Sequence, residues 1–335
     1  MSAPPVDPAV GPPPSAEMRT CVVMCTYNGE RYLREQLASI AAQTRPPHSM
    51  VIVDDASHDA SLEIARAFAA TAPFPVRVER NEANLGYAQN FARAIALAEG
   101  DVIVLADQDD VWRGDKLARM EAEFARDASV GMVFSDAEVV DAQLRPLGFR
   151  LWSAVGLDAA RLRCFGSGRE LQVLLRAAVV TGATMGFRTG LRAAVLPIPE
   201  GLFHDAWIAA VAAATARTAA IPEPLVLYRQ HGGNTIGASR LTLWRRLRVS
   251  RQNRVAELDR LRRQNEALLQ RLRALGVERP HQVAALQDAI AHLRVRTTLP
   301  SGLPRRMRPI TAEVLSGRYA RHSRGLSTAL RDLIA

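Results

Sequence analysis

"VIVLADQDDVW", residues 102–112, decides how the chain folds. Five apolar residues make a strand fit for burial, and three of the next four positions are aspartate: Asp107, Asp109 and Asp110. Carboxylates that close repel one another, so a buried strand rarely ends this way without a counter-charge. Working outward, "RTCVVMCTY" (19–27), "SMVIVDDAS" (49–57) and "PVRVER" (75–80) are further strand candidates. Between them, 31–42, 59–70 and 86–100 carry apolar residues at helical spacing, the last closed by Gly100. Nearly continuous apolar strands that alternate with helices predict βαβ units, hence an α/β fold with a mainly parallel central sheet. Ligands of such sheets sit beyond the carboxyl ends of the strands. The polar residues gather there: "CTYNGE", "DDAS", "NEANLG" and "DQDD" follow the four strands in turn.

After residue 130 the pattern changes to "VGMVFSDAEVVD", with a helix expected at 170–176, a strand crossing the interior within "VVTGATMGFRTG" (179–190) and a strong helix at 204–216. "IPEPLVLYRQHGGNT" (221–235) reads as a short strand feeding a polar loop. Helices are expected in 241–275 and 280–294, and Pro300, Pro304 and Pro309 are expected to break the remainder of the chain.

The 335 residues carry a formal charge of +9, unevenly spread. Residues 241–335 hold 20 basic and 7 acidic side chains, whereas 1–240 hold 23 and 27. Lys116 is the single lysine. A nucleic-acid-binding module needs basic clusters in the body, and this body is acidic. Cys21, Cys25 and Cys164 are too sparse for a disulfide framework and point to a reducing compartment. No run reaches the roughly 18 apolar residues of a membrane span, and the Pro/Ala-rich residues 1–18 read as a flexible tail rather than a signal peptide. Neither GxGxxG nor GxxxxGK[ST] is present, which counts against a dehydrogenase or an ATPase.

A divalent cation with oxygen ligands is the cheapest relief for Asp107, Asp109 and Asp110; an acidic turn, with Asp110 capping a following helix, is the alternative. Asp54 and Asp55 either accept hydrogen bonds from a base or ribose or cap the next helix. Thr26, Tyr27, Asn28 and Glu30 offer polar groups at the first turn, or form an ordinary capped turn. Asp205 heads the 204–216 helix as an N-cap or as a general base; His204 beside it reads equally as structural. His231, flanked by glycines, can approach a phosphate or metal or lie in a surface loop, and Arg229 can answer diphosphate charge.

Taken together, "VVMCTYNGERYLREQLASIAAQT", "VIVDDASHDAS", "NLGYAQNFARAIALAEGDVIVLADQDDVW", "VTGATMGFR" and "HDAWIA…EPLVLYRQHGGNT" resemble family 2 glycosyltransferases, and within them the rhamnosyltransferase-like branch of bacterial surface polysaccharide synthesis. The resemblance covers about residues 19–238. It implies a GT-A fold over 19–240, with a nucleotide-binding half (19–110) and an acceptor half (111–240), followed by an arginine-rich helical region (241–335). It also implies a nucleotide-diphosphate sugar as donor, Mg²⁺ or Mn²⁺, and inversion at the anomeric carbon. Thr26, Tyr27, Asn28 and Glu30 would then line the nucleotide pocket with Asn84 and Gly86. Asp54 or Asp55 would hold the base, Asp107 would touch ribose or diphosphate, and Asp109 would ligate the metal with His231. Asp205 would be the catalytic base. dTDP-rhamnose as donor and a glycan or lipid-linked glycan as acceptor come from the branch alone.

Three departures stand out. Ala56 occupies a position where glycine is common, and His204–Asp205 replaces the usual Glu–Asp pair. "YRQHGGN" stands where processive synthases carry QxxRW, which favours transfer of a single sugar. A sugar nucleotidyltransferase would want a Gly-rich basic loop where "TYNGER" stands, and an inactive scaffold would not need the intact aspartates. The arginine-rich region, with Leu241, Trp244 and Leu247 at three-residue steps, suits either an anionic membrane surface or a solvated or dimer-forming helix. The expected location is cytoplasmic, either free or peripheral on the cytoplasmic face of the inner membrane.

Overall fold

The computed structural model describes residues 18–231 and 251–334. The chain enters as β1 (Thr20–Thr26), α1 (Glu30–Ala41), β2 (Ser49–Asp54), α2 (Ser61–Thr71), β3 (Val76–Arg80), α3 (Tyr87–Leu97) and β4 (Val102–Ala106). β5 (Val111–Trp112), α4 (Lys116–Arg126), β6 (Val130–Val140) and β7 (Pro146–Arg150) come next. The short helices α5 (Leu151–Val155), α6 (Ala159–Leu162) and α7 (Glu170–Leu174) lead to β8 (Met185–Arg188), α8 (Arg192–Val195), α9 (His204–Thr215) and β9 (Arg217–Arg229). Five helices complete the described chain: α10 (Arg251–Leu275), α11 (Pro280–Thr297), α12 (Leu303–Leu315), α13 (Arg318–His322) and α14 (Leu326–Ile334).

The strands form one sheet in the order β3-β2-β1-β4-β8-β6-β9-β5, with β7 on β6. The expected βαβ units make its first half, where β1, β2, β3 and β4 run parallel. Antiparallel β8 then joins β4 to β6, and β6 pairs with β9 in parallel. Only four residues of "VVTGATMGFRTG" are strand, because Gly182–Thr184 coils into a 3₁₀ turn first. β9 starts at Arg217 rather than near 221, and its register against β6 shifts around Pro222 and Pro224, whose nitrogens cannot donate to a ladder.

Alternate residues of each strand face opposite sides of the sheet. Cys21 and Val23 of β1 join Val51, Val53, Ile103 and Leu105 under α3 and α9, whereas Val22 and Met24 join Ile52, Val102 and Val104 under α1, α2 and α4. α9 is apolar all round, as a helix covered on every side must be, with Trp207 fully buried at its centre. Leu268, Leu272, Leu286 and Ile290 of α10 and α11 belong to the same core. Arg271 fastens them by donating to the carbonyls of Ala194, Leu196 and Pro197. Of the three prolines expected to break the tail, only Pro300 lies in a break, between Thr297 and Leu303. Pro304 sits in the first turn of α12, where a missing N–H costs little, and Pro309 lies inside a helix anchored by buried Arg306 and Ile310. Leu241, Trp244 and Leu247 lie outside the described residues. Among those described, no helix is long and apolar enough to cross a membrane.

Ala56 takes φ +60° in the turn after β2, a left-handed conformation that costs an L-residue about 1–2 kcal/mol, against roughly 0.5–1 kcal/mol of extra chain entropy for glycine. Ala56→Gly is therefore expected to stabilise the protein by about 0.5–1 kcal/mol, read as a higher denaturant midpoint with unchanged slope.

Candidate functional site

The turns after β1, β2, β3 and β4 meet at one edge of the sheet and tie themselves together. Asp54 is fully buried and accepts from Thr26 Oγ1 at 2.9 Å, Ser57 Oγ at 2.6 Å and Ser57 N at 2.9 Å. Asp55 accepts from Asn81 Nδ2 at 2.5 Å and from the backbone N–H groups of Leu85 (2.8 Å) and Gly86 (2.9 Å). Asn84 adds bonds from its side chain to the Asp55 carbonyl and from Gly86 N to its own Oδ1. Asn28, at φ +48°, donates its N–H to Ser57 Oγ and accepts from His58 N. Glu30 Oε2 accepts from Ala60 N at 3.0 Å, while Glu30 N donates to Asp59. Of the residues expected to line a nucleotide pocket, these therefore hold the loops in shape with most of their hydrogen-bonding capacity. Tyr27, 44% exposed, presents its ring outward.

Gln108 ties the acidic turn to the first loop, a role that sequence reading missed although the residue lies inside "DQDD". Its amide accepts from Tyr27 N at 2.9 Å and donates to Tyr27 O at 3.1 Å. It also explains Gly29: a Cβ there would stand 2.2 Å from Gln108 Oε1. Buried Gln36 of α1 holds the Asp107 carbonyl at 3.0 Å.

The three aspartates separate in role. Asp110 is not a helix cap, since α4 starts only at Lys116, after Asp115 at the N-cap position. It is buried and accepts from Arg229 N at 2.9 Å, leaving Oδ2 without a partner among the described residues. Burial and the charges of Asp109 and Asp107 hold its carboxyl well above the usual range. Asp107 is pushed up to about 7 by burial, then by Asp109 and Asp205. Asp109 is partly open, its Oδ2 2.8 Å from His231 Nε2, and the imidazole leans on the Tyr32 ring at 4.7 Å.

Arg229 does not extend toward a diphosphate. Its buried guanidinium donates to the carbonyls of Asp109 (2.7 Å) and Ala142 (2.8 Å), pairs with Glu35 and stacks over Tyr32 at 4.4 Å. Lys116, fully buried, donates to the Ala183 carbonyl at 2.8 Å and lies 3.5 Å from the Trp112 ring centroid. Burial drives its pKa well down while Asp110 and Asp107 pull it back up. Its isolation as the single lysine was the only available signal.

Asp205 lies in the first turn of α9, where Oδ2 accepts from Gly182 N at 3.2 Å and Oδ1 from Ala206 N at 2.7 Å. Burial pushes the Tyr228 hydroxyl far up, and the charges of Asp110, Asp107, Asp109 and Asp205 add to it, so all four carboxylates lie within electrostatic reach of that hydroxyl. His204 stacks on Phe91 at 4.0 Å, its ring nitrogens unpartnered among the described residues, and burial keeps its pKa low. Its Nε2 would stand 2.8 Å from a Cβ on Gly182. Among the described residues no three His, Cys, Asp or Glu side chains gather as a complete metal cage; Asp109 and His231 offer two donor atoms.

Several known proteins are similar to this chain. It is 34% identical over 124 residues to an uncharacterized glycosyltransferase of Nostoc sp. (37% of this chain, 38% of the relative). It is 39% identical over 98 residues to a dTDP-rhamnosyl transferase of Shigella flexneri (28% and 34%). The match thus spans well under two thirds of those relatives' length. In fold it is similar to TarS 1–349 of S. aureus in complex with UDP-GlcNAc, with TM-score 0.58, 17% identity, 89% of this chain and 81% of that one. The mannosyltransferase PcManGT from Pyrobaculum calidifontis, in complex with GDP-Man and Mn²⁺, gives TM-score 0.54 at 22% identity over 96% and 83%. The fold is GT-A, a curled mixed sheet with its polar edge at the ends of β1 to β4. The model for glycosyl transferase family 2 matches residues 21–192, over half of the sequence, and the chain belongs to that family.

Proposed function

We propose that the protein is an inverting glycosyltransferase that moves one sugar from a nucleoside-diphosphate donor to a hydroxyl of a glycan or lipid-linked glycan. The observation that carries this reading is that Asp205, far away in sequence, lies within electrostatic reach of Asp107 and, with Asp107 and Asp109, of the buried Tyr228 hydroxyl. The donor's nucleoside would lie along the turns knitted by Asp54, Asp55 and Asn84, with Tyr27 against it. Rhamnose from dTDP-rhamnose is the sugar favoured by the Shigella relative's name.

Asp109 Oδ2 and His231 Nε2, 2.8 Å apart, fit a hard divalent cation that draws its remaining ligands from water and phosphate oxygens, as Mg²⁺ commonly does. Bound there, Mg²⁺ or Mn²⁺ would neutralise charge growing on the leaving diphosphate. The chain's own residues do the rest. Asp205, held by two backbone N–H groups, takes the proton of the acceptor hydroxyl as that oxygen attacks C1 from the face opposite the diphosphate. Gln108 and Gln36 keep the acidic turn at fixed height against the first loop, and Lys116 limits the repulsion among the carboxylates.

Three variants test the roles. Asp205→Asn is expected to lower kcat by about 10²–10⁴ while donor affinity stays level; full transfer activity in this variant would remove Asp205 as the base. Asp109→Ala should lose the stimulation by Mn²⁺ and bind nucleoside diphosphate with the weak, metal-independent affinity of the wild type in EDTA, measured by calorimetry. Gly182→Ala would push its Cβ into His204 Nε2 and displace the Asp205 carboxylate. It should reduce kcat about ten-fold or more with donor KM unchanged, as small misplacements of catalytic groups do.

A further inference from the structure

Next to the start of α9, lined by none of the acidic-turn aspartates, lies a cavity of about 600 Å³, a size within the roughly 300–1,000 Å³ of small-molecule sites. Phe203 and Ala206, which lie close to Asp205 in sequence, form part of its wall. The remainder comes from α5, α6, the segment after α7 and the C-terminal helices α10 to α14.

The side chains of five arginines of this lining, Arg176, Arg254, Arg260, Arg324 and Arg331, have neither a carboxylate nor a carbonyl partner among the described residues, whereas Arg161 and Arg306 donate to backbone carbonyls. All but Arg324 are half-buried. Arg260 rests on the Phe203 ring at 4.2 Å. Burial lowers the pKa of Arg331; the neighbouring Asp332 charge opposes this, and the charges of Arg296, Arg254 and Arg324 lower it further, so several guanidinium groups share one carboxylate. Arg176 is lowered likewise by burial and then by Arg161. Two carboxylates share the lining: Asp332 is already held by Arg296 at 2.7 Å and Tyr319 at 3.0 Å, and Glu257 is exposed.

A fold gains nothing by crowding half-buried guanidinium groups around so little counter-charge, since each loses hydration and repels its neighbours. Planar guanidinium forks match phosphate oxygens in pairs. The geometry points to this cavity as the seat of a phosphate or diphosphate group carried by the acceptor, held so that the acceptor's sugar hydroxyl reaches Asp205. The inference rests on the transferase reading above and adds the acceptor's chemical class to it. The donor's own diphosphate belongs at Asp107 and Asp109, neither of which lines this cavity.

The test uses the full chain and the double variant Arg176→Gln/Arg331→Gln. Neither arginine has a carboxylate partner among the described residues, so the variant is expected to melt no lower than wild type. In EDTA, which disables any metal-dependent donor site, wild type should bind inorganic pyrophosphate and the double variant should bind it about 100-fold more weakly, at roughly ten-fold per charged hydrogen-bonding group. In transfer assays the variant's KM should rise for a diphosphate-bearing acceptor, with donor KM and the KM of a neutral glycoside acceptor unchanged. Equal pyrophosphate affinity in both proteins, or none in wild type, overturns the proposal. So does sedimentation with phosphatidylglycerol vesicles that depends on the two arginines without pyrophosphate binding, which would assign them to a membrane headgroup. Pyrophosphate binding that follows the arginines in a protein that transfers no sugar would leave the anion site standing and remove the transferase reading.

Discussion

The Arg229 side chain and backbone join three parts of the molecule that are far apart in sequence. Its backbone N–H holds Asp110, its guanidinium holds the Asp109 carbonyl and Glu35 of α1, and its plane stacks on Tyr32. The end of β9, the first helix and the acidic turn are thereby locked to one another. Loss of this contact would free the turn that carries Asp107 and Asp109, and with it His231, two residues beyond Arg229. A buried guanidinium is costly to desolvate, and its full set of carbonyl, carboxylate and ring contacts is what offsets the cost.

That lock holds the carboxylates together against their own repulsion. Asp107 and Asp110 both sit above the ordinary carboxylate range, so the folded chain binds protons there that the unfolded chain releases. Stability from these groups is present at low pH and is lost as pH rises from about 4 through 7. The site thus opposes the fold near neutrality, a pattern expected where chemistry rather than stability chose the residues. Lys116 offsets part of the repulsion from inside the protein. A metal ion held at Asp109 would offset more from the open side.

The first half of the fold was legible because β1, β2 and β4 are continuous apolar runs whose ends carry the polar residues. The convergence of those ends follows from parallel pairing alone. What the residues do there was less legible. Asp54, Asp55 and Glu30 look like ligand-binding groups in sequence, yet most of their hydrogen-bonding capacity goes to neighbouring loops. A polar residue at a strand end can serve a ligand or the loop that approaches it, and only the partner's position decides. β8 and β9 were harder still: Gly182 and the prolines at 222 and 224 interrupt the alternation that marks a strand. The arginine-lined cavity had no sequence signature beyond charge, because Arg176, Arg254 and Arg331 come from separate elements.

The opposite charges of the two halves acquire a spatial meaning through α9. This helix is apolar throughout and buried on every side, and its first turn carries Asp205 at its one polar end. Asp205 is within electrostatic reach of Asp107 of the acidic turn, and its neighbours Phe203 and Ala206 line the cavity that the arginines of the C-terminal helices share. An acidic pocket that recruits a cation handles the donor's diphosphate without competing for an anionic acceptor. A basic pocket does the reverse. Had both anions been held by arginines, each substrate could occupy the other's place. On the proposed reading, separating them by mode of recognition would leave Asp205 at the boundary, where the acceptor hydroxyl and the donor carbon would have to meet.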